Sequence, residues 1–447
     1  MKRYEAYKNC NIPWIKHIPS HWMTKRAKFL YKKEQRPVRK EDSVVTCFRD
    51  GVVTLRKNRR TTGFTEAISE FGYQGIRKGD LVIHVMDAFA GAIGVSDSDG
   101  KGTPVYNVCT AYGDSNNYYY AYALREMARA GFIQSLYRGI RERSSDFRFD
   151  VFERQYLPVP PREEQDQIVR YLDWQVSKIN RLIAAKRKQI ALLHEQRKRR
   201  ISEAVLHGND DGCCQKDSGV EWIGMIPEHW SVIRCKYVFT ERDERSIAGE
   251  EEHLSMSQKY GLVPDSKLDE RRMLSESYVG GKVCYKNDLV LNRLKAHLGV
   301  FALSPQKGVI SPDYTVLIPN AERILPTYGE AVLKNDLCRR ELRIRVRGII
   351  EGFWRLYTDD FNTIVIPLPP LKEQEQIMKH LSALNNKFTA LKQRLEQEIN
   401  ILHELRTRLI SDVVTGQIDV RGIKVPDDEY TYTETLEEET EEETEEE

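Results

Sequence analysis

Two long stretches of the chain carry apolar residues at alternating spacings of four and three, a pattern typical of coiled-coil helices. They cover residues 163–206 and 372–415, and each predicts a helix roughly 65 Å long. The first seam contains Leu172, Val176, Ile179, Ile183, Ile190, Leu193 and Ala204, interrupted by Lys186 and Arg197. The second contains Ile377, Leu381, Leu384, Phe388, Leu391, Leu395, Leu402, Leu405 and Leu409.

A mixed region with short alternating strands, such as residues 52–54 and 81–83, precedes each helix. Pro160 and Pro161 end the extended segment before the first helix. Glu163 and Glu164 then place negative charge at the positive end of the helix dipole. The pattern therefore predicts a mixed α/β region that runs directly into a long helix.

This arrangement occurs twice along the chain. The opening residues Trp14, Ile18, Pro19, His21, Trp22, Arg26 and Lys28 recur 208 positions later as Trp222, Ile226, Pro227, His229, Trp230, Arg234 and Lys236. GDLVI at 79–83 returns as NDLVL at 287–291, and LPVPPREEQDQI at 157–168 returns as IPLPPLKEQEQI at 366–377. Residues 37–78 and 245–286 align poorly at this offset. We therefore predict a repeated frame that holds two unlike globular heads.

The simplest arrangement pairs the two helices with each other, since no domain of this size buries such a helix alone. A pseudo-twofold relation between the copies would make the helices antiparallel, with a globular domain at each end. The alternative is two separate helices lying on separate domain surfaces. The predicted fold class is α+β, with two mixed α/β domains, two long helices forming an antiparallel coiled coil, and an internal pseudo-twofold repeat.

Charge is distributed unevenly along the 447 residues, although the formal net charge is only +2. Residues 427–447 contain 13 acids and no Lys or Arg, so the first 426 residues hold 69 cations against 54 acids, a net charge of +15. A body this basic suggests a polyanionic partner, with nucleic acid the first candidate. The acidic tail offers almost nothing apolar to bury, and we expect it to be disordered.

Neither a transmembrane segment nor a signal peptide is predicted, because no run of eighteen apolar residues exists and no apolar stretch follows Met1. The eight cysteines include no C-x-x-C pair, which favours reduced thiols over a disulfide framework or a zinc site. We therefore expect a cytoplasmic protein without a bound metal.

Several head segments combine cations, amides and aromatic rings in the way that DNA contacts require. Arginine suits guanine, asparagine suits adenine, and surplus cations neutralise phosphates. The candidates in the first head are Arg56, Lys57, Asn58, Arg59, Arg60, Thr61, Asn116, Asn117 and Tyr118. Those in the second head are Gln258, Lys259, Tyr260, Asn292, Arg293 and Lys295. Each run is also consistent with a solvated face, and residues 118–122 with core aromatics.

Signatures of catalysis are missing. The chain contains no G-x-x-x-x-G-K-[ST] phosphate loop and no Asn-Pro-Pro-aromatic or Asp-Pro-Pro-aromatic motif of an amino-methyltransferase. His21 and His229 repeat, but each lies in the frame between Pro and Trp, which favours a structural role. We therefore expect no catalytic residues in this chain.

The chain resembles the specificity subunit of type I restriction-modification enzymes. The resemblance rests on WIG-x-IP-x-HW at 222–230 and its altered form at 14–22, on SPDYTV at 311–316, on P-x-PP-x-x-EQ-x-x-I before each helix, and on VTGQIDVRG at 414–422. It implies two target-recognition domains, at residues 1–161 and 209–370, a central helix at 162–208 and a distal helix at 371–416. Residues 417–447 would form a C-terminal segment with the acidic tail.

By this resemblance the chain is a non-catalytic DNA-recognition subunit that reads a bipartite, asymmetric duplex site. It would recruit methyltransferase subunits, which use S-adenosylmethionine to methylate adenine N6, and restriction subunits that require ATP and Mg²⁺. It would itself bind no cofactor. Two alternatives stay open: the specificity subunit of a methylation-only system, and a coiled-coil scaffold protein that does not bind DNA.

Overall fold

The computed structural model describes residues 2–59, 70–136, 146–209, 212–257, 260–267, 278–348 and 354–426. It divides into two compact units. Unit 1 comprises the residues up to Arg187 together with those from Glu396 onward, and unit 2 comprises Lys188–Leu395. The acidic tail at 427–447 lies outside the described residues.

Unit 1 begins with an alternation of short strands and ends in helices. Its strands are β1 (Tyr7–Asn9), β2 (His17–Pro19), β3 (Met23–Arg26), β4 (Tyr31–Lys33), β5 (Val45–Cys47), β6 (Val53–Leu55), β7 (Gln74–Ile76), β8 (Leu81–His84), β9 (Ile93–Val95), β10 (Gly100–Gly102), β11 (Tyr106–Ala111) and β12 (Tyr156–Val159). Its helices are α1 (Asn117–Arg129), α2 (Phe132–Ser135), α3 (Phe149–Phe152) and the first part of α4 (Arg162–His207).

Unit 2 repeats this order of elements. Its strands are β13 (Gln215–Asp217), β14 (Met225–Pro227), β15 (Ser231–Arg234), β16 (Phe239–Arg242), β17 (Leu254–Ser257), β18 (Gly261–Pro264), β19 (Lys282–Cys284), β20 (Leu289–Asn292), β21 (Phe301–Leu303), β22 (Gly308–Ile310), β23 (Tyr314–Pro319) and β24 (Val365–Leu368). Its helices are α5 (Pro326–Leu333), α6 (Asp336–Arg345), α7 (Thr358–Asn362) and the first part of α8 (Leu371–Val414).

The central antiparallel sheet has the same strand order in both units. The order is β4-β11-β8-β9 in unit 1 and β16-β23-β20-β21 in unit 2. The registers agree as well, because Cys109 lies opposite Leu81 and Leu317, 208 positions later, lies opposite Leu289. The predicted α+β class and internal repeat are confirmed.

The repeat extends into the segments whose sequences align poorly. In unit 1, β5 and β6 form a hairpin with Val45 opposite Leu55, and in unit 2, β17 and β18 form a hairpin with Leu254 opposite Pro264. One turn of 3-10 helix follows each hairpin, at Arg56–Asn58 and Asp265–Lys267. Segments with unlike sequences therefore form equivalent hairpins in the two units.

The turn before the central strand explains why GDLVI and NDLVL are equivalent. Gly79 and Asn287 both have positive φ, 92° and 70°, which glycine and asparagine adopt most readily. The next residue closes the turn in each unit: an Asp80 carboxylate oxygen accepts the Arg77 N–H at 2.7 Å, and an Asp288 oxygen accepts the Tyr285 N–H at 2.8 Å.

A buried glutamine ties each long helix to its own head. The Gln165 side chain donates to the Pro160 carbonyl at 2.9 Å and accepts the Asn116 N–H at 2.9 Å. Gln374 in unit 2 donates to the Pro369 carbonyl at 2.9 Å and accepts a head N–H at 2.8 Å. The EQ motif is therefore repeated because its glutamine satisfies backbone groups at both helix starts.

Each unit also binds the end of the other long helix. In unit 1 the Tyr119 hydroxyl donates to the Val414 carbonyl of α8 at 3.2 Å, and in unit 2 Tyr328 donates to the Val205 carbonyl of α4 at 3.1 Å. The final-turn carbonyls of a helix have no partner within the helix, so these hydroxyls cap them. Gly208 and Gly416, both at positive φ, then end the helices.

Within each unit the two long helices run side by side and antiparallel. In unit 1, Lys186 pairs with Glu398, and Arg406 donates to the side-chain oxygen Oδ1 of Asn180 at 2.8 Å. In unit 2, Arg197 donates to the side-chain oxygen Oδ1 of Asn385 at 2.9 Å. The predicted pairing is confirmed, and the alternative of two separate helices is wrong.

Part of the predicted second seam is wrong. Leu391 and Leu405 lie 39% and 49% exposed, whereas Ile399, which the pattern had left out, is only 9% exposed. The antiparallel partner presents polar groups such as Asn180, and Arg406 pairs with it. The helix face that turns inward is therefore set by hydrogen bonding as well as by leucine spacing.

Candidate nucleic-acid interface

The predicted basic cluster of the first head follows the hairpin β5–β6. The Arg59 guanidinium lies 2.7 Å from an Asp50 carboxylate and over the Phe48 ring, 4.5 Å from its centroid. Arg56 donates to the Thr46 hydroxyl at 3.3 Å, and Asn58 donates to a threonine hydroxyl at 2.9 Å. Lys57 is exposed. The arginines thus help to hold the hairpin, and Lys57 points its charge to solvent.

Arg60 and Thr61 lie outside the described residues, and so do Gln258 and Lys259. These four predicted contacts therefore stay predictions from the sequence.

Asn116 and Asn117 lie at the start of α1. The Asn116 carbonyl oxygen accepts the Tyr118 N–H at 2.9 Å, and its amide donates to Asp166 at 2.6 Å, so Asn116 is the helix N-cap. The Asn117 amide donates to the Gly79 carbonyl at 2.7 Å. Both side chains thus tie α1 to the sheet and to α4.

The tyrosines that follow Asn117 divide into core and surface residues. Tyr119 and Tyr120 are fully buried, and the Tyr120 ring packs edge-on against Tyr31 with 5.5 Å between centroids. The alternative interpretation of this run as core aromatics is therefore correct for these two. Tyr118 is 43% exposed, and partial burial raises the pKa of its phenol. Its ring remains accessible for stacking.

In the second head the predicted residues lie on two turns. Tyr260, at the tip of the hairpin β17–β18, is 65% exposed. The Asn292 side chain accepts the Leu294 and Lys295 N–H groups at 3.1 and 3.3 Å and so closes the turn after β20. Arg293 donates to the Thr315 hydroxyl at 2.8 Å, whereas Lys295 is exposed.

The repeat brings one further turn into the candidate surface. At an offset of 208, Asn292–Lys295 corresponds to residues 84–87, which follow β8 in unit 1. There the His84 ring packs edge-on against Tyr106 and burial lowers the pKa of the histidine, while Met86 is exposed. The sequence locates this turn through the repeat, but it indicated no DNA contact there because the turn lacks cations.

Clusters of metal-binding side chains and long apolar helices are absent from the described part of the chain. No group of three or more His, Cys, Asp or Glu there could hold a metal ion. His21 and His229 each contact a glutamate at a helix start, 2.8 and 2.7 Å away, which agrees with a structural role. Within the same residues no helix is both long and apolar enough to cross a bilayer.

Comparison with known proteins relates the chain to one family. Residues 248–400 match the type I restriction modification DNA specificity domain. The chain is 25% identical over 286 residues to the type I restriction enzyme MjaVIII specificity subunit of Methanocaldococcus jannaschii, a match that covers 61% of this chain and 64% of that subunit. It is 24% identical over 318 residues to the putative MjaX specificity subunit of the same organism, covering 68% of each.

The chain thus spans slightly less than two thirds of the MjaVIII subunit. It also matches a chain in a structure described as the basis of complex assembly and conformational transition of the type I R-M system. That match has a TM-score of 0.58 and 17% identity, and it covers 90% of this chain and 99% of the other, which establishes a shared fold. Taken together, these matches show that the chain is similar in sequence to type I restriction-modification specificity subunits and similar in fold to a chain of a type I R-M system.

Proposed function

We propose that the chain gives DNA sequence specificity to a type I restriction-modification complex, with each unit reading one half of a bipartite, asymmetric duplex site. The observation that carries the proposal is the pairing of one frame with two unlike heads. The same sheet register occurs in both units, whereas the exposed turns carry different residues. Two different half-sites require this combination, since equal heads would read a symmetric site.

Exposure separates the candidate contacts into two groups. Lys57, Tyr118, Tyr260 and Lys295 are exposed, so their side chains can meet phosphates or bases from solvent. Asn116, Asn117, Arg59 and Arg293 would first have to give up structural partners. The exposed group is therefore favoured for DNA contact, and the net charge of +15 on residues 1–426 supports a phosphate-binding surface.

The proposal assigns the chemistry to partner proteins. Methyltransferase subunits would bring S-adenosylmethionine, and restriction subunits would bring ATP and Mg²⁺. This chain would scaffold both kinds of subunit and would itself catalyse no reaction. Action on cellular DNA would place the complex in the cytoplasm.

The test is the methylome of cells that carry the complete operon. Loss of this gene should abolish methylation at one bipartite motif. Replacing residues 37–150 with the corresponding head of another family member should change one half-site and leave the other intact. The matched replacement of residues 245–348 should change the opposite half-site.

Three outcomes would revise the proposal. If one replacement alters both half-sites, the two-head assignment is wrong. If methylation persists without the gene, DNA specificity lies elsewhere and a scaffold that does not bind DNA is favoured. If methylation depends on the gene but unmethylated phage DNA is not restricted, the complex is a methylation-only system.

A further inference from the structure

The His–Glu pair at the two helix starts differs in its surroundings. In unit 1, Glu164 is 4% exposed and receives hydrogen bonds from Tyr4, His21 and Trp22. In unit 2, Glu373 is 24% exposed, and His229 Nε2 lies 2.7 Å from one of its oxygens. At the 208-residue offset of the repeat, Tyr4 corresponds to Gly212 in unit 2. The second pair is therefore more open to small molecules.

A thiol lies beside this more open pair. Cys213 Sγ is 3.8 Å from His229 Nδ1, so the imidazole stands between a thiol and a carboxylate. With Nε2–H donating to Glu373, Nδ1 is left to accept the thiol proton. A base next to a cysteine, held in orientation by a third group, is the arrangement that activates a nucleophilic thiol.

We infer that Cys213 is a reactive thiol, activated by His229 and Glu373, that is oxidised by hydrogen peroxide to a sulfenic acid. The thiolate attacks one peroxide oxygen, an S–O bond forms and the O–O bond breaks. The leaving hydroxide takes the proton that His229 received from the thiol and departs as water. Sulfur loses two electrons and the peroxide gains two, so no further reactant is needed.

The other cysteines provide the contrast. Burial raises the pKa of the thiols of Cys47, Cys109, Cys235, Cys284 and Cys338. Cys10 donates to the Ile15 carbonyl at 3.1 Å, which is no base for a thiol proton. Cys214 is exposed. Its Cα lies about 3.8 Å from that of Cys213, closer than an unstrained disulfide allows, so the sulfenic acid is not readily resolved by its neighbour.

The experiment measures sulfenic acid formation at each cysteine of the full-length chain. The protein is treated with low concentrations of hydrogen peroxide, trapped with dimedone, digested, and analysed by tandem mass spectrometry that separates Cys213 from Cys214. We expect Cys213 to be oxidised at least tenfold faster than Cys10 or Cys214. His229→Gln should reduce its rate to that of Cys214, and Glu373→Gln should reduce it partly. The matched variant His21→Gln should leave it unchanged.

Equal rates at Cys213 and Cys214 in the unaltered chain would overturn the inference without any variant. A fast Cys213 that is indifferent to His229→Gln would also overturn it, because the activating base would be absent. Labelling of the buried Cys235 and Cys284 reports unfolding. If His229→Gln exposes them, the decision rests on Glu373→Gln and on the unaltered chain.

Discussion

At the residue scale, Glu164 is a buried carboxylate that accepts several hydrogen bonds at the start of α4. Charge-assisted hydrogen bonds from Tyr4, His21 and Trp22 converge on it. Burial of the Tyr4 phenol, together with its hydrogen bond to the negatively charged Glu164, raises the pKa of that phenol. Glu373 in unit 2 shares only the histidine contact, and the indole N–H of Trp230 is unpaired within the described residues. The glutamate at this motif position therefore accepts more hydrogen bonds in unit 1 than in unit 2 among the described residues.

We predict that Glu164→Gln lowers the free energy of unfolding by about 2–3 kcal/mol, since an amide replaces a charged acceptor of buried donors. The matched change Glu373→Gln should lower it by less than about 1 kcal/mol, because one partner is lost at a more exposed site. Urea unfolding of the two variants under identical conditions measures the difference. An equal or larger effect at Glu373 would contradict the contact pattern.

At the element scale, α1 packs on the first turns of α4 through a carboxyl that is shielded from water. The Tyr122 hydroxyl of α1 donates to Asp173 of α4 at 2.8 Å, and burial raises the pKa of Asp173 to about 6 in spite of this bond. In the unfolded chain the same group has its ordinary pKa of about 3.9. The folded state therefore binds more protons between these two values.

The resulting pH dependence has a definite sign. The contribution of Asp173 to stability is fully present below pH 4 and is lost as the pH rises through about 6, because ionisation then opposes burial. We predict that Asp173→Asn raises the free energy of unfolding by about 1–2 kcal/mol at pH 7.5 and changes it little at pH 4. Urea midpoints between these pH values check the prediction, which fails if the gain is independent of pH.

Tyr122→Phe serves as the companion variant. It removes the hydrogen bond that favours the ionised carboxyl, so the folded-state pKa should rise further and the loss of stability should extend to a still higher pH. A shift towards lower pH would show that the hydroxyl does not act on Asp173.

At the scale of the whole molecule, unit 1 is closed by two distant segments of the chain. The Asp419 N–H donates to the Lys2 carbonyl at 2.9 Å, and the Tyr7 hydroxyl donates to the Gln417 carbonyl at 3.3 Å. In unit 2 the described residues 208–209 and 212–218 occupy the corresponding place. Its Cys214 carbonyl accepts the Glu228 N–H, as the Ala6 carbonyl accepts the Ser20 N–H in unit 1.

We predict that a circularly permuted chain folds, and on the proposed function keeps the same methylated motif, when residue 426 is joined to residue 2 by a short flexible linker and the chain is opened between residues 210 and 211. In the permuted chain, two distant segments close unit 2 and a continuous segment closes unit 1. Every described contact of the frame is kept. Methylome sequencing and thermal unfolding measure the outcome. A control opened between Val290 and Leu291, inside the central sheet, should not fold. An altered motif in the first permutant would contradict the equivalence of the two closures.

Much of the architecture could be predicted because its causes are local or periodic. The start of α4 follows from the Pro-Pro pair and the acidic first turn, and the repeat follows from equal spacing of Trp, Pro and His. The sequence did not predict all the residues of α8 that are buried against the partner helix. Leucine spacing favoured Leu391 and Leu405, but packing and hydrogen bonding to the partner helix left both exposed and buried Ile399 instead.

The sequence by itself determined the repeated frame, the class of fold and the two long helices, because period, helix-start chemistry and the 208-residue offset are properties of the chain alone. Only the tertiary structure decided which polar side chains are already engaged in hydrogen bonds within the protein. Asn116 and Asn117 resemble base-reading amides in the sequence, yet they cap and anchor α1. Cys213 has nothing unusual around it in the sequence, yet folding places His229 beside it. Gly79, the partner of Asn117, and His229, the partner of Cys213, lie 38 and 16 residues away along the chain, so no local pattern records that they meet.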